Sequence, residues 1–135
     1  GDITNKNPII KNVFIIENNN TCKVFTGGAE KTYDKAENFN QKGNEIKIAD
    51  ITLSDKKLTE INYADEIKEK QIQSIDEKKL VCVDNETFDI LPDCKVYYTK
   101  DNKTMLGSKE DLLEGKTYEI CLRDNKICAF IFSKI

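Results

Sequence analysis

One order of apolar runs and turn signals occurs twice in these 135 residues, and that repetition constrains the fold more than any single residue. The first pass reads Val13-Phe14-Ile15-Ile16-Glu17, a polar break, Cys22 to Phe25, Gly27-Gly28, Lys31-Thr32-Tyr33, and a spacer ending Phe39-Asn40-Gln41-Lys42-Gly43. It continues with Glu45 to Ile48, Ser54-Asp55-Lys56 and Leu58 to Tyr63. The second reads Ile72 to Asp76, Leu80 to Val83, Asp84-Asn85, Glu86-Thr87-Phe88, and a longer spacer ending Asp111-Leu112-Leu113-Glu114-Gly115. Thr117 to Leu122, Asp124-Asn125-Lys126 and Ile127 to Phe132 complete it. Each copy must solve the same packing problem, so the pattern predicts two tandem copies of one architecture. Their expected bounds are 1–66, a shorter first β repeat, and 67–135, a more complete second one, linked through Ala64 to Gln71.

Short runs rich in Val, Ile, Phe, Tyr and Thr, bounded by Asn, Asp, Gly and Lys clusters, are the signature of strands and hairpins. The expected class is all-β: two small barrel-like or sandwich-like antiparallel repeats with one or two short helical turns. The helical candidates are Asp34 to Asn40 and Ser108 to Glu114. In the second, Ser108 caps, Asp111 follows three residues on, and Gly115 supplies a left-handed exit. Lys95-Val96-Tyr97-Tyr98-Thr99, in the longer spacer, reads as an extra strand that closes the second barrel more fully. The first copy is expected to borrow an edge from its neighbour and to depend on it. Ile127 to Phe132 is continuously apolar, as a strand buried on both faces should be, whereas Thr59, Ile61 and Tyr63 give a narrower stripe.

Charge and residue types exclude several functions. Net charge is -3, from 21 basic and 24 acidic residues mixed along the chain, which gathers no phosphates, and Arg123 is the sole arginine; nucleic acid is not an expected partner. No apolar stretch reaches the ~18 residues a membrane span needs, and no signal core follows the start. Gly1 without a preceding methionine reads as a tag remnant on an excised fragment. With no histidine, the usual general base, triad and commonest metal ligand are missing, so no enzyme, catalytic residue, metal or cofactor is expected. Glu17, Asp76, Asp84, Glu86 and Asp124 are the carboxylates a glycosidase would need, but they sit in or beside turns, where solvated charge is ordinary. Asp84-Asn85-Glu86 and Asp101-Asn102 lack the spacing of a calcium loop, and Gly27-Gly28 reads as a hairpin rather than a phosphate cradle.

Five cysteines cannot all pair within one chain. Cys22, Cys82, Cys121 and Cys128 lie in apolar runs and read as small buried hydrophobes. Cys94 is the fifth, and a Cys121–Cys128 bridge would close only a short loop. Among the aromatics, Tyr63, Phe130 and Phe132 follow strand alternation into the core. Tyr97, Tyr98 and Tyr118 are the candidate ligand or partner contacts, because adjacent Tyr97 and Tyr98 must face opposite sides of a strand and tyrosines stack on sugars.

Gln71-Ile72-Gln73-Ser74-Ile75-Asp76, Val81-Cys82-Val83-Asp84, Thr87-Phe88, Lys95-Val96-Tyr97 and Asp111-Leu112-Leu113-Glu114-Gly115 with a closing hairpin resemble the β modules repeated in clostridial and bacillary surface-layer and cell-envelope proteins. That resemblance implies a non-catalytic structural or interaction module of a larger bacterial envelope protein, at the cell surface or secreted. Its implied partners are other domains of the same protein, and cell-wall polymer or another protein in the alternative reading of a binding module. Five thiols argue against an extracellular place, which leaves a phage tail domain or a cytoplasmic assembly as the other setting.

Overall fold

A computed structural model describes residues 8–26 and 29–134; the turn expected at Gly27-Gly28 lies outside the described residues. The chain is nearly all β and divides into two compact units between Tyr63 and Ala64. The first unit holds β1 (Ile9–Glu17), β2 (Thr21–Thr26), β3 (Ala29–Lys42), β4 (Ile48–Ser54) and β5 (Lys57–Tyr63). These close into a barrel in the order β1-β2-β3-β5-β4 around Ile15, Cys22, Val24, Ile51, Leu58 and Ile61. The second unit holds β6 (Glu66–Ile75), β7 (Lys79–Cys82), β8 (Thr87–Lys100), β9 (Lys103–Leu106), a 3-10 turn at Lys109–Asp111, β10 (Thr117–Arg123) and β11 (Lys126–Ser133). Its ring runs β6-β7-β8-β11-β10, with β9 added outside it on β8, and encloses Ile72, Leu80, Phe88, Ile120, Leu122 and Phe130.

The two rings share irregularities as well as strand order. In the first, β3 runs parallel to β5 and the pairing jumps from Lys35 opposite Leu58 to Asn40 opposite Glu60. In the second, β8 runs parallel to β11 and jumps from Ile90 opposite Ile127 to Lys95 opposite Ala129. The hairpins that follow repeat one bulge. Pairing passes from Thr52–Glu60 to Leu53–Leu58, with Thr59 as the inserted residue, and from Cys121–Ala129 to Leu122–Ile127, with Cys128 as the inserted residue. Such bulges bend a strand and increase its twist, as a small ring requires. The hairpin tips also match: Asp55 and Lys56 have φ of 51° and 66°, and Asp124 and Asn125 have 53° and 62°, the positive pair that a two-residue turn between twisted strands demands.

Several expectations are corrected. Asp34 to Asn40 is not helical; it lies inside β3. A closed ring needs its third strand to serve β2 at one end and β5 at the other, so non-local pairing overrides the local preference of this polar stretch. Lys95 to Thr99 is not an extra strand but the second half of β8, the counterpart of that misread segment. The strand without a counterpart is β9. Ser108 to Glu114 shrinks to the Lys109–Asp111 turn, because Leu112 adopts extended geometry (φ -90°, ψ 123°) and buries its side chain in the core. The repeats are not purely antiparallel, since each ring holds one parallel pair, formed where the last strand returns beside the third. The first ring borrows no edge: β1 pairs with both β2 and β4, and β3 with β2 and β5. Ile127 to Ile131 is buried throughout, as its composition requires. Five-stranded Greek-key barrels include the oligonucleotide- and oligosaccharide-binding fold, but an architecture by itself assigns no ligand.

Candidate functional site

Two of the three tyrosines singled out in the sequence converge on Phe132. The parallel register sets Phe132 of β11 opposite Tyr98 of β8, and their rings stack with centroids 5.7 Å apart at an interplanar angle of 26°. Tyr118 of β10 approaches the same phenylalanine edge-on at 5.2 Å and 75°. Tyr97 is not in this row: strand alternation turns it to the other side, where it is only 2% exposed. Lys134 Nζ lies 4.1 Å from the centroid of Tyr98 and 3.3 Å from Asp111 Oδ1. The Tyr118 hydroxyl accepts from Leu113 N at 2.9 Å and donates to Asp111 O at 3.5 Å, fixing the loop that carries the carboxylate. The Ser108 N–H bonded to Asp111 holds its carboxyl below the usual carboxylate range against the opposing effect of burial, with help from Lys134.

Phe132, Tyr118, Asp111 and Lys134 line a groove of about 620 Å³ together with Leu113, Glu69 and Lys116, and Tyr98 stacks on Phe132 without lining it. Tyr118 is buried and acts as a support. Tyr98 and Phe132 are half-buried and reach solvent. An aromatic surface flanked by a cation and a carboxylate has the chemistry to stack on a sugar ring or hold an apolar side chain.

The first unit contains a polar depression of about 450 Å³ lined by Glu17, Asn18, Asn19, Lys35 and Glu45. Lys35 Nζ donates to Glu17 Oε2 at 2.6 Å, to Asn18 O at 2.8 Å and to Asn19 O at 3.2 Å, while the Tyr63 hydroxyl donates to Glu17 Oε1. Burial alone would raise the Glu17 carboxyl, but the Lys35 and Tyr63 hydrogen bonds and the Lys35 charge outweigh it and hold the group low. Burial and the Glu17 bond push the Tyr63 phenol up. The second ring has a depression of about 580 Å³ at the corresponding place, around Ile90, the residue that pairs with Ile127 as Lys35 pairs with Leu58. Its walls are Ile75, Ile90 and Pro92 with Asp76, Glu77 and Lys109 on the rim. Sequence reading missed the role of Lys35, because it fell in an expected helix, and that of Tyr63, whose buried ring carries a hydroxyl used in this network.

The remaining carboxylates stabilise turns and ladders. Asp76 Oδ1 accepts from the N–H groups of Lys78 and Lys79 at 2.7 and 2.8 Å, which lowers its pKa. Lys70 Nζ bonds Asp84 at 2.8 Å and also Glu86, bracing the turn through Asn85; those two bonds raise the lysine, and the Asp84 carboxyl falls. Asp124 occupies a hairpin tip, its N–H donating to Asp65 Oδ2 at 2.7 Å. Among the described residues no group of three or more His, Cys, Asp or Glu is placed to hold a metal ion. None of the five cysteines is in a disulfide. The Cys121–Cys128 bridge is not formed, since the register sets Cys121 opposite Ala129 and leaves Cys128 in the bulge. Burial pushes the Cys94 thiol up to about 12 and that of Cys22 to about 11. No helix among the described residues is long and apolar enough to cross a membrane. Comparison with protein-family models, curated proteins and solved structures gives no match.

Proposed function

We propose that this chain is a non-catalytic structural module of a larger bacterial cell-envelope protein, in which two like barrels in tandem hold other domains apart. The observation that carries this reading is the duplication itself. The same ring is built twice, down to the bulge at Thr59 and Cys128, each around its own core. Repeated self-contained cores suit a spacer, because length is set by adding units. The chemistry of the first depression points the same way, as Lys35 and Glu17 are committed to internal bonds. Burial of four of the thiols removes much of the objection to an oxidising surface, since shielded thiols oxidise slowly. An antibody against the module should label intact cells of the producing bacterium; label only after permeabilisation would overturn the envelope placement.

A second reading, a binding module for cell-wall polymer, is favoured by the Tyr98–Phe132 stack beside Lys134 and Asp111. The module should then cosediment with purified sacculi and lose most of that binding as Tyr98→Ala. Unchanged cosedimentation of the variant would rule out the Tyr98–Phe132 stack as the binding surface.

A further inference from the structure

Strand β9 is the one element of the described β structure that lies outside a closed ring, and its chemistry specifies what fits it. It pairs with β8 alone, through Tyr97–Leu106, Tyr98–Met105, Thr99–Thr104 and Lys100–Lys103, around a two-residue turn at Asp101 and Asn102 with φ of 53° and 65°. In such a hairpin the residues flanking the turn exchange both backbone bonds, and alternate residues thereafter do the same. The Gly107 N–H bond to Val96 O at 2.7 Å fixes that alternation. Lys103, Met105 and Gly107 therefore turn their backbone groups toward β8, whereas Thr104 and Leu106 turn theirs away. Met105 and Leu106 are 43% and 41% exposed, so apolar side chains flank the open edge. The first unit has no such arm: β3 ends at Lys42, and Gly43 turns away with a φ of 85°.

We propose that the outer edge of β9 pairs with β9 of a second copy of this chain, antiparallel across a two-fold axis through Met105. An edge strand of outward N–H and C=O groups recognises another extended backbone. A second copy presents this same edge, flanked by the same exposed Met105 and Leu106. The outward positions Thr104 and Leu106 fix the register: Thr104 lies opposite Leu106 of the other copy and Leu106 opposite its Thr104, giving four backbone hydrogen bonds. Met105 then faces Met105 in the close, non-hydrogen-bonded pair, and Lys103 lies opposite Gly107 rather than another lysine. Contacts related by a two-fold axis are self-complementary in this way. Four residues bury little surface, so the association is weak between free copies and grows where chains are held side by side.

The test uses the full chain. Sedimentation velocity should show a concentration-dependent monomer–dimer equilibrium, weakened at least about tenfold by Thr104→Pro, which removes an outward donor without touching the bonds to β8. Met105→Lys, which opposes two cations at the axis and leaves the backbone intact, should weaken it similarly. Met105→Cys with a mild oxidant should yield a dimer whose cross-linked peptide joins residue 105 to residue 105. A monomer at every concentration, or association undiminished by both Thr104→Pro and Met105→Lys, would overturn the proposal. It would also fall if Thr104 and Leu106 amide resonances ignored protein concentration yet shifted with an added extended peptide, making the edge a site for a foreign strand.

Discussion

Lys35 Nζ lies 2.6 Å from Glu17 Oε2, which ties the midpoint of β3 to the end of β1. The two side chains retain only 13% and 12% exposure, and the same ammonium caps the carbonyls of Asn18 and Asn19. It thereby fixes the β1–β2 turn while its strand crosses from β2 to β5.

Removing either partner leaves the other charge half-buried and unpaired, so Lys35→Met or Glu17→Gln should each cost about 1 to 3 kcal/mol. The native carboxyl lies below its unfolded value. Its contribution is therefore complete above the ordinary glutamate range of about 4 and is lost as pH falls through the depressed folded value. Urea titrations at a series of acid pH values should show a shallower slope in Glu17→Gln than in the native chain. Parallel slopes would mean that this pair does not govern acid stability.

Gly115 and Gly43 share a φ of 85° but differ in surroundings. A Cβ at Gly115 would meet nothing within 4 Å, whereas at Gly43 it would lie 3.4 Å from Tyr63 Cβ. Gly115→Ala therefore isolates backbone strain, expected at about 1 kcal/mol, with Gly115→Asn costing less because asparagine tolerates positive φ. Thermal denaturation of both variants measures the difference. Equal melting temperatures for native, Ala and Asn proteins would show that the positive φ is not required.

Much of the fold was legible because its signals are local. Alternation through Thr59, Ile61 and Tyr63 marked β5 and Asp124-Asn125 marked a tight turn, whereas the expected run Glu45 to Ile48 meets β4 (Ile48–Ser54) only at its first residue. Asp34 to Asn40 was illegible because what makes it β is pairing with residues far along the chain, Thr21 and Leu58 among them. The site divides in the same way. Consecutive Tyr97 and Tyr98 announced that one ring would face away from the other. That Tyr98 meets Tyr118 across Phe132 depends on the parallel β8–β11 register, which no local pattern encodes.

Cys22, Cys82, Cys121 and Cys128 are buried and Cys94 is half-buried, so thiol reagents should separate them. In the native chain at pH 8 no more than one thiol, Cys94, should react on the timescale of a free cysteine, and all five should react after denaturation. Burial raises the Cys94 pKa to about 12. Its labelling rate should therefore keep rising with pH beyond about 8.5, where an ordinary thiol levels off. A plateau near that value would show that Cys94 is more solvated than its place against the core allows.

Ring closure also bears on how the chain would tolerate being cut. A first copy lacking a strand would have had to depend on the second. Yet β1 to β5 close on themselves, with Leu58, Ile61 and Val24 fully buried in their own core. Residues 1–63 and 64–135 expressed separately should therefore each give dispersed β-type amide spectra and cooperative unfolding. Both should melt below the intact chain, since domains of this size bury only about 60% of their unfolded surface. Amide exchange supplies the sharper measurement: the slowest amides of the shorter fragment should be those of β4 and β5, which pair along most of their length. If the first fragment is instead unfolded under conditions where the second is native, the closure of its ring does not suffice for stability, and dependence on the second copy returns as the explanation.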